Sequence, residues 1–517
     1  MSAPVPHRHP DELRTPTPPS RSSHPARTRR RVASASGALC ALAAIGAALP
    51  GGAAADTPVY SAQLTRAPYL TDLTTTGVQI NWGSTAQNRG TVSYGHPDDC
   101  AAHTATSTTL GYPMTVNGVK EYRNTVTLTG LDPSGSYCYR ISTGGTAPVD
   151  LLGTHATPTF ETLDPADASS TFSFAVFGDW GDTTSSNVND GRLNSNQANL
   201  DAQLAASGAR FALTAGDTAY PGGSQTNYGD LIQTGVDISA VFGPSYWAEP
   251  GQLLPVFAVS GNHGQNSTYL LNWPESTTAA ASNGLYAMTS YPSIDGSTVG
   301  SYPTGYYAFS TGGVRFYMLD ASWGNSNTGT ATGGACGSHC AIYQVDHDAH
   351  WTTGSAEYQW LAADLAAHPG GLKFAVFHFP LRSDDATEPD DNYLNVTAGS
   401  GSLESLLASG GVQLVFNGHA HDYQRSTAPA GGVISYVTGG GGAKSTSIGA
   451  KGCSSTDAYA IGWSYTKNKG NACGAATAPT SDAQVYHFLK VAVSGRTVTV
   501  TPTDSLGNTF DVQTYTF

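Results

Sequence analysis

TFSFAVF (171–177) runs straight into Gly178-Asp179, and the same arrangement returns four more times along the chain. ARFALTA (209–215) leads to Gly216-Asp217, LLPVFAVS (253–260) to Gly261-Asn262-His263, LKFAVF (372–377) to His378, and VQLVFN (412–417) to Gly418-His419 and His421. Continuous apolar runs of this length, rich in aromatic and β-branched residues, read as strands buried on both faces. Helical patterns lie between them. Leu200 and Leu204 are four apart ahead of Gly208; Tyr358, Leu361 and Leu365 share a stripe; Leu403, Leu406 and Leu407 precede Gly410-Gly411. Strands alternating with helices predict a layered α/β domain over 170–517, with sheets flanked by helices and much parallel pairing. In such domains a ligand site lies beyond the carboxyl ends of the strands, where all five blocks sit.

These strand ends deliver Asp179, Asp217, Tyr220, Asn262, His378, His419 and His421. The donors are carboxylate, phenol, amide oxygen and imidazole, with no thiol among them. That excludes a structural zinc site of the thiolate kind and points to Zn, Mn, Fe or Mg. Seven donors are too many for one four-coordinate ion; they suit two ions roughly 3.5–4 Å apart sharing a carboxylate. A single GD or GH dipeptide reads as a loop. Five blocks in order, each behind a strand, are specific.

The series GDWG (178–181), GDTAY (216–220), GNHG (261–264), FHFP (377–380) and GHAH (418–421) resembles that of the calcineurin-like metallophosphoesterases. Tyr220 in GDTAY resembles the tyrosine that sets the purple acid phosphatases apart. GYYAFSTGGVRFYMLD (305–320), NGHAHDYQR (417–425) and YVTGGGG (436–442) extend the likeness, which covers the chain from about residue 60 to its end. The resemblance implies that Asp179, Tyr220 and His421 bind Fe(III), that Asn262, His378 and His419 bind a divalent ion (Zn, Fe or Mn), and that Asp217 bridges both. It also implies a secreted acid phosphatase acting on small phosphomonoesters by in-line attack of a metal-bound hydroxide. His263 would protonate the leaving group and, with Asn262, contact the substrate; alternatively His263 only orients a ligand. A phosphodiesterase or nucleotidase on the same scaffold, or a non-catalytic secreted binding protein, are the other readings. The chain departs from the family pattern at three places. Gly264 stands where the family has an acid, Ala375 where it has valine, and no further histidine follows FHFP soon after; Arg382 and Ser383 are the nearby substitutes for a phosphate contact.

Residues 1–55 read as a cleaved leader: an Arg- and Pro-rich start, an Ala-rich stretch over 33–49, and GGAAA as a cleavage site near Ala55. Arg29-Arg30-Arg31 fits a twin-arginine signal as well as an ordinary basic n-region. This leader holds seven arginines and two acids, so of 24 basic and 38 acidic residues in the chain 17 and 36 remain, a formal charge of −19. That balance argues against nucleic acid as a partner, and no stretch after the leader is apolar enough to span a bilayer. Six cysteines remain beyond the leader, and an even count in an exported chain reads as disulfides. Nearest-neighbour pairing (100–138, 336–340, 453–473) is the expectation, out of 15 possible connectivities.

Residues 60–160 alternate as strands: Val78, Ile80 and Trp82; Val126 and Leu128; Tyr137, Tyr139 and Ile141. A β-sandwich follows, resembling the fibronectin-III-like N-terminal domain of purple acid phosphatases, as a packing module or as a polymer-binding one. A Gly/Thr/Ser-rich insert over 321–354 carries CGSHC and DHDAH, either a disulfide-pinned loop near the cleft or an extra zinc site. The last segment, from Val485, reads as an edge hairpin.

Overall fold

The computed structural model describes residues 58–107, 109–110, 114–116, 119–180, 195–218, 220, 252–259, 261–262, 306–321, 350–386, 393–450 and 452–517. The stretch 1–55 read as a leader, His263 with Gly264, and Cys336 with Cys340 lie outside these residues.

The front of the described chain is a sandwich of two antiparallel sheets. One runs Leu64–Thr71, Gly77–Ser84, Val119–Thr129 and Thr109–Leu110, with Met114–Val116 also on Val119–Thr129; the other runs His103–Thr106, Thr91–Gly95, Ser136–Ser142 and Thr159–Glu161. The alternation explains it. Val78, Ile80, Trp82, Val126, Leu128, Tyr137, Tyr139 and Ile141 all turn inward and are buried. Cys100 and Cys138 form a disulfide that ties the strand Ser136–Ser142 to the turn between Thr91–Gly95 and His103–Thr106.

The five apolar runs are divided between two further sheets. Val256–Ala258, Ala212–Thr214 and Thr171–Phe177 are parallel neighbours in a six-stranded sheet that continues antiparallel through His487–Ser494, Thr497–Asp504 and Gln513–Thr516. The eight-stranded sheet runs Tyr307–Thr311, Val314–Met318, Leu372–Val376, Leu414–Asn417, Ile434–Thr438, Tyr423–Ser426, Asp457–Ser464 and Lys469–Gly474, with parallel pairing from Val314 to Thr438. The C-terminal strands, read as an edge hairpin, form the antiparallel end of this sheet: His487–Ser494 and Thr497–Asp504 pair as a hairpin, and Gln513–Thr516 is the outermost strand. His487–Ser494 pairs with Thr171–Phe177 over six residue pairs, because its apolar side chains serve both faces of a central strand.

Strand periodicity sorts the side chains into layers. Phe172, Phe174 and Val176 face the same inter-sheet core as Phe316, Phe374, Val376, Leu414 and Phe416. On the outer face of the six-stranded sheet, Ala175 and Phe177 meet Leu200 and Leu204 of the helix Ser195–Ala206. On the other outer face, Tyr317, Ala375 and Val415 meet Leu361 and Leu365 of Ala356–Ala367 and Leu403 and Leu407 of Leu403–Ser409. Ser355 and Ser402 cap these last two helices, their hydroxyls accepting the N–H of Tyr358 and Ser405. The order is helix, sheet, sheet, helix. The sandwich joins it by direct contacts: Tyr139 donates to the Gln252 carbonyl (3.0 Å), Asp164 N–H to Thr311 Oγ1 (2.9 Å), and Arg210 reaches Glu161 and Asp164.

Phe174 is the hub of the inter-sheet core, with ring centroids of Phe211, Phe316 and Phe374 at 5.6, 5.1 and 5.9 Å. Phe174→Ala is expected to lower stability by ~3–5 kcal/mol, since close-packed sheets collapse poorly around a lost ring. Urea unfolding monitored by circular dichroism measures it; a loss under about 1 kcal/mol would mean that the two sheets do not pack through this ring.

Candidate metal centre

The ligand-bearing ends of both sheets meet. Gly178 N–H donates to the Thr438 carbonyl (2.9 Å), joining the end of Thr171–Phe177 to the end of Ile434–Thr438. Gly418 N–H donates to the His378 carbonyl (3.0 Å), and Asp179 N–H to that of Gly216 (3.1 Å). All seven donors read from the sequence are brought together there. Asp179, Asp217 and His378 place donor atoms within 4.8 Å of one another, all buried.

The contacts fall into two sets. Tyr220 Oη lies 3.1 Å from Asp179 Oδ1 and 2.9 Å from His421 Nε2, and His421 Nε2 is 3.4 Å from Asp179 Oδ1. His378 Nε2 lies 2.8 Å from Asn262 Oδ1, and the His419 ring centroid is 5.0 Å from that of His378. Asp217 belongs to both sets: its Oδ2 accepts from Tyr220 at 2.8 Å, and its Oδ1 is 3.4 Å from His378 Nε2.

Backbone geometry sets these positions. Asp179, Asp217 and His419 have φ of 58°, 48° and 71°. Non-glycine residues leave this region unless the surroundings hold them, at a cost of roughly 1–3 kcal/mol each. Here the surroundings do: Asp179 Oδ2 accepts the His419 N–H at 2.8 Å. Close approach does the rest. A Cβ on Gly261 would sit 1.9 Å from Asp217 Oδ1. At the four glycines 439–442 an added Cβ would each time meet something different, at 2.0 Å the Ala420 carbonyl, at 2.3 Å His487 Nδ1, at 2.4 Å the Gly178 carbonyl and at 2.0 Å Gln197 Oε1.

Two carbonyls that the sequence could not announce orient the imidazoles. His378 Nδ1 lies 2.8 Å from the Ala215 carbonyl and His421 Nδ1 lies 2.9 Å from that of Lys444. Nδ1–H donation to a carbonyl leaves Nε2 as the ligand atom, the usual support of a metal-binding histidine. The donor set therefore fits cations: two buried carboxylates, a phenol and imidazoles turned Nε2-inward. Run-on glycines were the one visible trace of this packing.

The electrostatics agree. Burial pushes the His378 imidazole down, but Asp217 and Asp179 outweigh it and push its pKa up to about 9. Burial likewise opposes, and Asp179 with the Lys444 carbonyl overcomes it, for His421, pushed up to about 10. In protein stripped of metal, raised imidazole pKa values stabilise the fold fully below about 6.5. That contribution is lost as pH rises through about 9 and 10. Chelator-treated protein is therefore expected to melt several degrees lower at pH 10 than at pH 7. Saturating zinc should flatten this dependence, since ligation needs the neutral ring. A flat profile without metal would show that these imidazoles carry no charge in the folded chain.

Two further sequence candidates have partners of their own. Arg382 is bound to Glu404 and to Ser435 Oγ, and Ser383 Oγ accepts from the Asp385 N–H (3.1 Å) and Gln424 Nε2 (3.3 Å). Both side chains thus hold the fold around the helix Leu403–Ser409 and the strand Tyr423–Ser426. In the insert, His350 Nδ1 lies 2.7 Å from Glu357 Oε2; the rest of CGSHC and DHDAH is outside the described residues.

Two family models match in series. The purple acid phosphatase N-terminal domain matches residues 67–162, and the calcineurin-like phosphoesterase matches residues 172–423. The chain joins a purple acid phosphatase N-terminal domain to a calcineurin-like phosphoesterase domain. Purple acid phosphatase 15 of Arabidopsis thaliana is 25% identical over 205 residues, which is 38% of this chain. That alignment spans only 31% of the plant protein's length. The structure of a purple acid phosphatase from yellow lupin (Lupinus luteus) seeds shares the fold, with a TM-score of 0.55, 16% identity, and coverage of 87% of this chain and 74% of the lupin chain. Purple acid phosphatase relatives and the donor set together imply a dimetal centre.

Proposed function

We propose that this chain is an exported hydrolase of small phosphomonoesters, built around two metal ions. Asp179, Tyr220 and His421 would hold Fe(III), Asn262, His378 and His419 a divalent Zn, Fe or Mn, and Asp217 would bridge them. The observation that carries the reading is the position of Asp217, one oxygen against Tyr220 and the other against His378. A hard phenolate in one set and imidazoles with an amide oxygen in the other suit a trivalent and a divalent ion. When bound, such ions supply an activated water and neutralise phosphoryl oxygens.

The chain's own residues prepare for that chemistry. The Ala215 and Lys444 carbonyls hold each Nε2 forward. Phe379, at 4.6 Å from the His419 ring, keeps water off its side. His263 directly follows Asn262 in sequence and is assigned the proton passed to the leaving alkoxide. Arg382 and Ser383 keep their structural partners and are not assigned to the phosphate.

Export is supported by the disulfides Cys100–Cys138 and Cys453–Cys473, and no helix among the described residues is long and apolar enough to cross a membrane. The acidic balance supports small phosphorylated substrates over nucleic acid.

Metal analysis with a visible spectrum tests the assignment. The purified protein should carry iron with a second ion and show a phenolate-to-iron band, and Tyr220→Phe should bleach it. Protein holding only zinc sinks the ferric assignment. Rates on a phosphomonoester and on a bis-ester at acid and neutral pH test the substrate class; a preference for the bis-ester makes the chain a phosphodiesterase.

A further inference from the structure

A second cluster of metal donors lies apart from this centre. Asp384, Cys453, Asp457 and Cys473 place one donor atom each within 4.8 Å of one another. Cys453 and Cys473 are joined as a disulfide, so two of the four donors are masked in the oxidised chain. We propose that opening this disulfide turns the corner into a Cys₂Asp₂ zinc site.

The arrangement is already close to what the ion needs. Tetrahedral zinc with Zn–S of about 2.3 Å and Zn–O of about 2.1 Å sets its ligands roughly 3.3–3.8 Å apart. Thiolates select zinc over the harder cations that a bare carboxylate pair would take. The two carboxylates converge on a single donor: Ser454 N–H lies 3.0 Å from Asp384 Oδ2 and 2.8 Å from Asp457 Oδ2. Burial, and Asp384 beside it, hold the Asp457 carboxyl above the usual carboxylate range, as expected of like charges brought together. A divalent ion between them removes that repulsion.

The frame around the donors is held independently of the sulfur bond. Asp457 begins the strand Asp457–Ser464, Cys473 pairs with Ala460 in the neighbouring strand, and Gly449 N–H donates to the Asp384 carbonyl at 2.9 Å. A Cβ on Gly449 would lie 3.2 Å from Cys473 Sγ. The same segment supports the metal centre, since Thr446 N–H donates to the His421 carbonyl (2.9 Å). The disulfide joins Cys453 to Cys473, and the zinc form would add, through Asp384, a tie to the chain that follows His378.

The chemistry balances. A dithiol breaks the S–S bond, passing two electrons and two protons to the sulfurs and leaving as its own disulfide. Zinc(II) then displaces both thiol protons, with no further change in oxidation state.

The test uses cobalt(II) as probe and the full chain, oxidised or reduced by a phosphine. The proposed catalytic donors include no thiolate, so a thiolate-to-cobalt charge-transfer band reports only on cysteine ligation. The expected result is that band in the reduced protein, saturating at one equivalent, absent from the oxidised protein and lost in Cys473→Ser. Asp384→Asn with Asp457→Asn should weaken cobalt binding in the reduced chain at least tenfold. No band in reduced protein, a band surviving Cys473→Ser, or unchanged affinity in the double variant each overturn the proposal. Should Cys473→Ser fail to fold, the double asparagine variant, which keeps the disulfide, decides.

Discussion

Asp217→Ala is expected to cut kcat/KM on a phosphomonoester by at least about 10³-fold, on the order of 4 kcal/mol of transition-state stabilisation. Asp217 is the residue whose two oxygens face both donor sets, Oδ2 toward Tyr220 and Oδ1 toward His378. Removing it takes a negative charge from between the two cation positions and leaves each set one donor short. Asp217→Asn keeps the shape and loses the charge, so it separates packing from electrostatics: a purely structural role predicts recovery, a bridging role does not. The metal content per chain, measured by mass spectrometry beside the rate, should fall in both variants. Two ions per chain at near wild-type rate in Asp217→Ala would end the bridging assignment.

Gly418→Ala is expected to do comparable damage without touching a donor atom. The added methyl carbon would lie 2.5 Å from the Ala215 carbonyl oxygen, 2.5 Å from Asp179 Oδ2 and 3.0 Å from His378 Nδ1. Two of these neighbours are fixed, one as backbone and one as a buried carboxylate already bound to the His419 N–H. The chain must shift at the point where Ala215 orients His378. We expect a stability loss of about 1–3 kcal/mol or more, as overpacking costs, and a fall in activity above about 10²-fold, as misplacement of catalytic groups by about 1 Å costs. Gly370→Ala is the control. Its Cβ would meet nothing within 4 Å, and it should melt and turn over like the parent. Equal behaviour of the two variants would show that close approach at Gly418 is not what seats His378.

Much of the site was legible before any coordinates. Aspartate, asparagine and histidine behind glycine at strand ends are local signals, because a strand's end dictates where its next residues go. Leu361, Leu365, Leu403 and Leu407 were legible too, since helix periodicity reports the buried face. The hairpin that contains His487–Ser494 was legible, but alternation tells which face is apolar and not which neighbour supplies the hydrogen bonds; its second partner, Thr171–Phe177, lies more than 300 residues away. Arg382 and Ser383 were read by proximity in sequence to His378; that they also bond Glu404, Ser435 and Gln424, from three other segments, could not be read locally.

By itself the sequence determined the donor types, their order, their attachment to strand ends, and the nearest-neighbour pairing seen at Cys100–Cys138 and Cys453–Cys473. Only the tertiary structure decided that the five runs belong to two sheets, that Asp217 stands between the two donor sets, and that the Ala215 and Lys444 carbonyls turn Nε2 of His378 and His421 toward the other donors. The physical reason is range. Side-chain chemistry and backbone periodicity act within a few residues and are written locally. Pairing, close approach and hydrogen bonding to a carbonyl act between segments far apart in the chain, and exist only once those segments are packed.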